Sequence, residues 1–347
     1  MNCKVRVMPS GHEFTVQAGE SVLDAALRQG VTLPYGCRNG TCGSCKGKVM
    51  AGQVEYGETP PVALSDAERA QGMALFCQAR PVGDVTIEAQ ATRVGDFPIK
   101  KLPARVAKKE LLAPDVVRLY LKLPAAVRLQ FLAGQYIDFL LPDGRYRSFS
   151  LANAPHDDEF IELHVRHVDK GEFTEYVFDH MKEKTMVRIE GPRGDFYLRE
   201  DSPRPMIFVA GGTGFAPIKG IIEHAFAAGI GRPMHLYWGA RAAVDLYLKE
   251  LPQHWTQEYA NFRYTAVLSA PAASDDWRGP TGFVHETLVV DYPDLSGYDV
   301  YAAGPPAMVR ATRDACVAQG LPAEQFFSDP FEFAPDALAK QQQQTQT

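Results

Sequence analysis

Three cysteines fall within nine residues, Cys37-Arg-Asn-Gly-Thr-Cys42-Gly-Ser-Cys45, in the spacing C-x4-C-x2-C. Thirty-one residues intervene before a fourth, Cys77. A close triplet of thiolates with a distant fourth suits a [2Fe–2S] cluster. Structural zinc also takes thiolates, but it favours two C-x2-C knuckles, and only one short pair occurs here. Gly36, Gly40 and Gly43 leave the loop free to adopt φ > 0, so backbone N–H groups can turn towards the sulfurs and help set the potential. The remainder of the chain then reads as machinery that supplies electrons to this loop.

The chain of 347 residues is too long for one ordinary domain. A hydrophobic content of 46% with 22% charged residues suits a soluble globular protein. Net charge is only −6 and no basic patch stands out, which argues against a nucleic-acid partner. The N-terminus passes directly into an alternating pattern without a signal-type apolar stretch. No apolar run reaches the length of a membrane span. Six cysteines, four in one ligand pattern, do not make a disulfide framework. These features lead us to expect a cytoplasmic protein without a membrane partner. Cys3 and Cys316 read as small buried or part-buried residues.

Residues 1–91 read as one small domain. Lys4–Met8 and Glu13–Val16 alternate as strands around the Ser10-Gly11 turn. Ser21-Val-Leu-Asp24 suits a helix start, and the helix stops at Gly30. Strands follow at Lys46–Met50 and Val85–Glu88, with a short helix at Ser65–Gln71. Together with the C-R-x-G-x-C-G-x-C motif, this order resembles the plant-type ferredoxin, a β-grasp domain. Free plant ferredoxins are strongly acidic, whereas this segment holds nine acids against eight bases. A near-neutral ferredoxin has given up long-range steering, and a covalent tether to its electron donor makes steering unnecessary. The donor is therefore expected further along the chain.

Residues 92–98 read as a linker. From 99 to 202, strand-like runs at Ala104–Ala107, Val116–Leu123, Tyr136–Leu141, Tyr146–Leu151, Phe160–Val168 and Met186–Ile189 predict an antiparallel barrel with one helix near Phe173–His180. Within it Arg147-Ser148-Phe149-Ser150 resembles the R-x-Y-S/T motif of the ferredoxin-NADP reductase superfamily, and Ala133-Gly-Gln-Tyr136 and Gly191-Pro-Arg-Gly194 resemble two more of its segments. The resemblance implies an FAD site. Arg147 would pair with the pyrophosphate, Phe149 would stack on the isoalloxazine, and Ser150 would hydrogen-bond near N5. Phe149 replaces the family's usual Tyr. Gly171-Glu-Phe173-Thr174 opens a helix whose free N–H groups suit phosphate. By the same resemblance the backbone at His164 and Val165 borders the flavin, without an acid–base role.

Residues 203–335 predict a parallel α/β layer. Strand Pro205–Ala210, the turn Gly211-Gly212-Thr213-Gly214-Phe-Ala-Pro217 and an apolar helix from Ile218 to Ala228 give a dinucleotide-binding context. Its G-x-G-x-x-P form resembles the reductase superfamily. Arg241 after the next strand marks the adenosine ribose, where one base followed by Asp245 favours NADH over NADPH. Ala303-Gly304-Pro305-Pro306 resembles the family's C-G-P-P segment. Ala303 occupies the place of a Cys close to the nicotinamide, so Ser150 and Ala303 are the expected catalytic positions. Phe327–Phe331 lies where relatives place an aromatic or extended segment against the flavin. The last residues, 336–347, form a polar low-complexity tail.

Ferredoxin, flavin barrel and nicotinamide domain, in that order, look like the reductase components of bacterial multicomponent oxygenases. Similar reductases of the CDP-6-deoxyglucoseen type serve a sugar dehydrase. The resemblance implies that a hydride passes from NADH to FAD and that single electrons leave through the cluster. It also implies a terminal oxygenase, hydroxylase or dehydrase docking near Cys37–Cys45. A ferredoxin-like carrier or redox sensor with a degenerate flavin half is the contrasting reading, supported only by Phe149 and Ala303.

Overall fold

The computed structural model describes residues 3–29, 31, 33–35, 38–57, 61–89, 97–125 and 127–332. Gly36, Cys37, most of the expected linker and the tail from 333 lie outside the described residues. The chain divides into two compact units, one running through Pro98 and taking in Glu332, and one running Ile99–Phe331.

The first unit is a five-stranded mixed sheet ordered β2-β1-β7-β3-β5. β1 (Cys3–Met8) and β2 (Glu13–Val16) form a hairpin whose alternate residues Val5, Val7, Phe14 and Val16 are buried. α1 (Val22–Arg28) begins where Ser21 Oγ accepts the Asp24 amide at 3.1 Å. The cysteine loop leads into β3 (Lys46–Ala51) and the short β4 (Val54–Glu55). α2 (Asp66–Ala70) is held by a reciprocal Ser65–Glu68 capping box, which satisfies two otherwise orphaned donors. β5 (Met73–Leu75) and β6 (Arg80–Pro81) follow. β7 (Val85–Glu88) then inserts between β1, to which it is parallel, and β3.

The second unit contains two sheets. β8 (Lys100–Ala113), β9 (Val116–Lys122), β10 (Tyr136–Leu140), β11 (Tyr146–Ser150), β12 (Ile161–Arg166) and β13 (Met186–Arg193) are antiparallel, in the order β11-β10-β13-β8-β9-β12. A bridge between Leu151 and Leu163 joins the two edges and closes the barrel. Val106, Leu119, Ile137, Phe139, Leu163 and Ile189 fill its interior. Its helix is α3 (Glu172–Glu175), which widens into a single turn at Tyr176–His180.

The other sheet is parallel and ordered β16-β15-β14-β17-β18. It is built from β14 (Met206–Gly211), α4 (Phe215–Ala227), β15 (Met234–Ala240), α5 (Glu250–Glu258), β16 (Phe262–Leu268), α6 (Val284–Asp291), β17 (Asp299–Gly304), α7 (Pro306–Ala318) and β18 (Phe326–Pro330). Every residue of β14 and β17 is buried, because helices cover both faces. β18 pairs with β17 in register Ala303 to Asp329. Phe327–Phe331, expected as an aromatic or extended segment against the flavin, belongs largely to a fifth strand.

Cys3 is part-buried, and burial pushes the Cys316 thiol up to about 12, which leaves it inert. No helix among the described residues is long and apolar enough to cross a membrane.

Phe208, fully buried with its ring 5.4 Å from that of Tyr301, tests the two-sided core. Phe208→Ala should destabilise the second unit by about 3–5 kcal/mol in chemical denaturation. A loss below about 1 kcal/mol would contradict that packing.

Candidate functional site

In the first unit, the described part of the cysteine loop is pinned at each end. Arg38 reaches Asp24 of α1 at 2.8 Å, and its carbonyl accepts Gln78 Nε2 at 3.0 Å. Asn39 Oδ1 accepts the Thr41 amide and hydroxyl, and the Gly40 carbonyl accepts the Ala63 amide. Gly40 and Gly43 take φ of +83° and +78°, as the glycine spacing suggests. Arg38 also lies in the left-handed region at +60°, which its residue type did not announce. A Cβ on Gly40 would stand 2.8 Å from Pro61 Cβ, so this turn demands glycine for space as well as angle.

The ladder between β3 and β5 places Lys46 opposite Leu75, and the Phe76 amide donates to the Cys45 carbonyl at 3.1 Å. Cys45 and Cys77 are consequently brought beside one another, both buried, at adjacent strand ends. Cys42 is part-buried on the same loop. Burial raises the Tyr56 phenol, with further contributions from nearby Cys45 and Cys77, while its oxygen accepts the Leu75 amide. Cys42, Cys45 and Cys77 are the soft ligand type an iron–sulfur cluster takes, with Cys37 as the fourth, although the described thiols do not close into a group of three.

In the second unit, the barrel places the flavin-motif residues along β11. Phe149 is half-buried and packed edge-on to Phe139 at 5.7 Å, with Phe173 tilted at 5.6 Å. The Phe173 ring and the Val165 side chain lie in the barrel core, so only their backbones can face a ligand. Ser148 donates to buried Asp138 at 2.6 Å. Arg147 donates to the Tyr146 carbonyl at 2.8 Å at the barrel rim. Gly171 caps α3, and Thr174 Oγ1 bonds back to the Gly171 and Val168 carbonyls, so it braces this turn. Gln135 of the A-G-Q-Y segment ties Leu132 to Gly194, which links that segment to the G-P-x-G turn.

The dinucleotide turn follows β14 directly. Gly212 has φ +52°, and Gly304 has φ +132°. A Cβ on Gly214 would lie 1.9 Å from the Ala303 carbonyl oxygen, and one on Gly304 would lie 2.6 Å from that of Gly211. A Cβ on Gly211 would meet Pro305 Cδ at 2.7 Å. The two motifs therefore interlock backbone against backbone. Thr213 and Pro217 are buried behind them. Arg241 is exposed after β15. Two carboxylates flank the turn beyond it: Asp245 accepts the Ala242 amide, and Asp275 accepts those of Ala243 and Ala272.

Ser150, Ala303 and a residue the motifs missed come together here. Ser150 Oγ donates to Asp329 Oδ2 at 2.8 Å, and Asp329 is the register partner of Ala303. Asp329 keeps some exposed surface, yet protein crowds its carboxyl. Burial pushes it up to about 6, against the lowering effect of Ser150. A lone acid in a strand of no clean alternation carried no signal of this role; only the fold reveals it. Arg166, which shares with His164 the strand expected to border the flavin without an acid–base role, lies here as well. Its guanidinium lies where a Gly212 Cβ would be 2.8 Å away, and its Nε and Nη2 are buried without hydrogen bonds among the described residues. Its charge partners are Asp115 at 3.1 Å and Asp245 at 3.8 Å. The His164 side chain faces neither motif; it bonds Tyr247 and Glu162.

Comparison with known proteins identifies three domains in the chain. Residues 5–82 match a 2Fe-2S iron-sulfur cluster binding domain, 103–197 an oxidoreductase FAD-binding domain, and 208–314 an oxidoreductase NAD-binding domain. The chain is 38% identical to the CDP-6-deoxy-L-threo-D-glycero-4-hexulose-3-dehydrase reductase of Yersinia pestis, over 95% of this chain and 99% of the relative. It is 36% identical to the phenol hydroxylase P5 protein of Acinetobacter pittii, over 98% of each. Among solved structures, the Amycolatopsis cytochrome P450 reductase GcoB superposes with a TM-score of 0.81 at 37% identity, covering 95% of this chain and 98% of that one.

Asp329 holds its proton more tightly in the folded protein than a free carboxyl would. The folded state therefore binds the extra proton between about pH 4 and 6, and the stability this contributes is lost as pH rises through that window. Asp329→Asn should flatten that part of the stability–pH curve, read as melting temperature against pH. An unchanged slope would contradict the raised carboxyl. Gly214→Ala should prevent stable folding of the second unit, visible as loss of soluble, cooperatively melting protein.

With an iron–sulfur domain, a flavin barrel and a nicotinamide layer in one chain, this protein belongs to the family of iron–sulfur flavoprotein reductases that includes oxygenase reductase components and CDP-glucoseen-type reductases.

Proposed function

We propose that this protein is an NADH-dependent reductase that takes in electrons as hydride and releases them singly to a terminal oxygenase or hydroxylase. The observation that carries the reading is the convergence of Ser150, Ala303 and Asp329 where the flavin and nicotinamide motifs meet. FAD and the [2Fe–2S] cluster, when bound, supply the two-electron to one-electron conversion. Cys37, Cys42, Cys45 and Cys77 would hold the cluster. Arg147, Phe149, Ser150 and the turn at Gly171 would hold the flavin. Gly211 to Pro217 with Gly304 and Pro305 would take the nicotinamide nucleotide, with Arg166 facing its pyrophosphate.

Ser150 Oγ and Asp329 hold a proton between them, and a carboxyl near 6 can give or take it close to neutral pH. Ala303 is fully buried, and its register partner Asp329 carries the carboxyl of this pair. Asp245 and Asp275 disfavour a 2′-phosphate, so NADH is the preferred donor. The terminal protein docks at the cysteine loop, where Val62, beside the Pro61 that abuts Gly40, is 84% exposed. Ligand thiols of this kind suit the reducing cytoplasm. The 38% identity to a dehydrase reductase across 95% of the chain supports a second reading, in which a sugar dehydrase is the acceptor.

The test is stopped-flow reduction by NADH and by NADPH of wild type and Cys42→Ser. NADH should react faster, and the variant should keep NADH–ferricyanide activity while losing cytochrome c reduction. Cytochrome c reduction at the wild-type rate by Cys42→Ser would refute the route through the cluster.

A further inference from the structure

β12 presents Glu162, His164 and Arg166 on one face, while Ile161, Leu163 and Val165 fill the barrel. The polar row meets three separate parts of the nicotinamide layer. Glu162 Oε2 accepts from Lys219 Nζ of α4 at 3.1 Å, and the same ammonium donates to the Ala152 carbonyl at 3.1 Å and to Glu223 at 2.9 Å. His164 bonds the Tyr247 hydroxyl at 3.0 Å through Nδ1 and Glu162 Oε1 at 2.9 Å through Nε2. Arg166 lies against Gly212. From Tyr247 the path continues by ring packing. Its ring meets Trp238 edge-on at 5.2 Å, and Trp238 stacks on Phe215 at 4.0 Å. The Trp238 indole N–H donates to the Gly212 carbonyl at 3.0 Å.

Burial and the partners on each side favour one arrangement of protons along this chain. Burial raises the Tyr247 phenol, so it stays protonated and donates to Nδ1. Burial lowers the His164 imidazole, so it is neutral and its Nε2–H donates to Glu162. Burial opposes ionisation of Glu162, but His164 and Lys219 outweigh it and hold the carboxyl down to about 2. The carboxylate is thus satisfied by a neutral donor on one oxygen and a cation on the other. A buried ion pair of this kind seldom stabilises a fold more than apolar packing would, so its benefit is sought in geometry.

We propose that the Tyr247–His164–Glu162–Lys219 chain is a positioning device: it holds the glycine turn at Gly212 in register with the flavin-side strand β12 and so sets the hydride-transfer rate. None of the four touches a reacting atom in this arrangement. The proposal rests on the reductase reading above.

The experiment is anaerobic stopped-flow reduction of the full-length, FAD-loaded protein at saturating NADH. Tyr247→Phe, which removes one hydroxyl, should lower the limiting rate of flavin reduction about ten- to hundredfold. The NADH dissociation constant should stay within about twofold of wild type, and FAD content and melting temperature should be retained. Lys219→Met should lower the rate further, with partial recovery in Lys219→Arg. If Lys219→Met does not fold, Tyr247→Phe alone decides. Wild-type flavin reduction in a folded, flavin-loaded Tyr247→Phe overturns the proposal, and so does a rate that falls only in proportion to lost flavin. Failure of NADH to reduce the wild type would instead overturn the reductase reading.

Discussion

Two glycine turns that touch backbone to backbone determine how the nicotinamide half can be built. Gly214 lies so close to the Ala303 carbonyl that a methyl group would overlap it, and one on Gly304 would stand 2.6 Å from the Gly211 carbonyl oxygen. The turns sit at the C-terminal ends of neighbouring parallel strands β14 and β17. Chain order reverses between those strands, and in open α/β sheets ligands bind at such a switch point. A side chain at either turn would strike the backbone of the other. Their exclusion lets the two turns meet, with the start of α4 following one and Ser150 with Asp329 beside the other.

The two units treat charge differently. In the second, some ionic groups are buried and held by specific partners, as with Glu162 between His164 and Lys219. Such pairs cost desolvation and constrain geometry. In the first, the charges are balanced in number and mostly lie outside the core, as with Arg38 and Asp24 beside the cysteine loop. The first arrangement suits a site where two ring systems must meet in one orientation. The second suits a domain whose electron donor is tethered to it.

Much of the local structure was legible because it is driven by short-range physics. Glu13–Val16 and Val85–Glu88 have the bounds that alternation and composition suggest. The helix start at Ser21, read from its spacing to Asp24, is where Ser21 Oγ accepts the Asp24 amide. The barrel strands β8 and β13 run longer than their apolar runs, because pairing with each other extends them into polar sequence. β18 carried little strand signal; its partner β17 supplies the ladder that makes it a strand.

The sequence by itself determined the cofactor chemistry. Cysteine spacing, the R-S-F-S run and the glycine turn are local patterns whose spacing is a property of the covalent chain. Only the tertiary structure decided which distant groups act together. Ser150 and Asp329 are 179 residues apart, and His164 and Tyr247 are 83 apart. No periodicity links such positions, because their contact depends on strand order and layer packing. The same physics made His164 a buried bridge to Tyr247 and gave the acid at 329, silent in the sequence, its place beside Ser150.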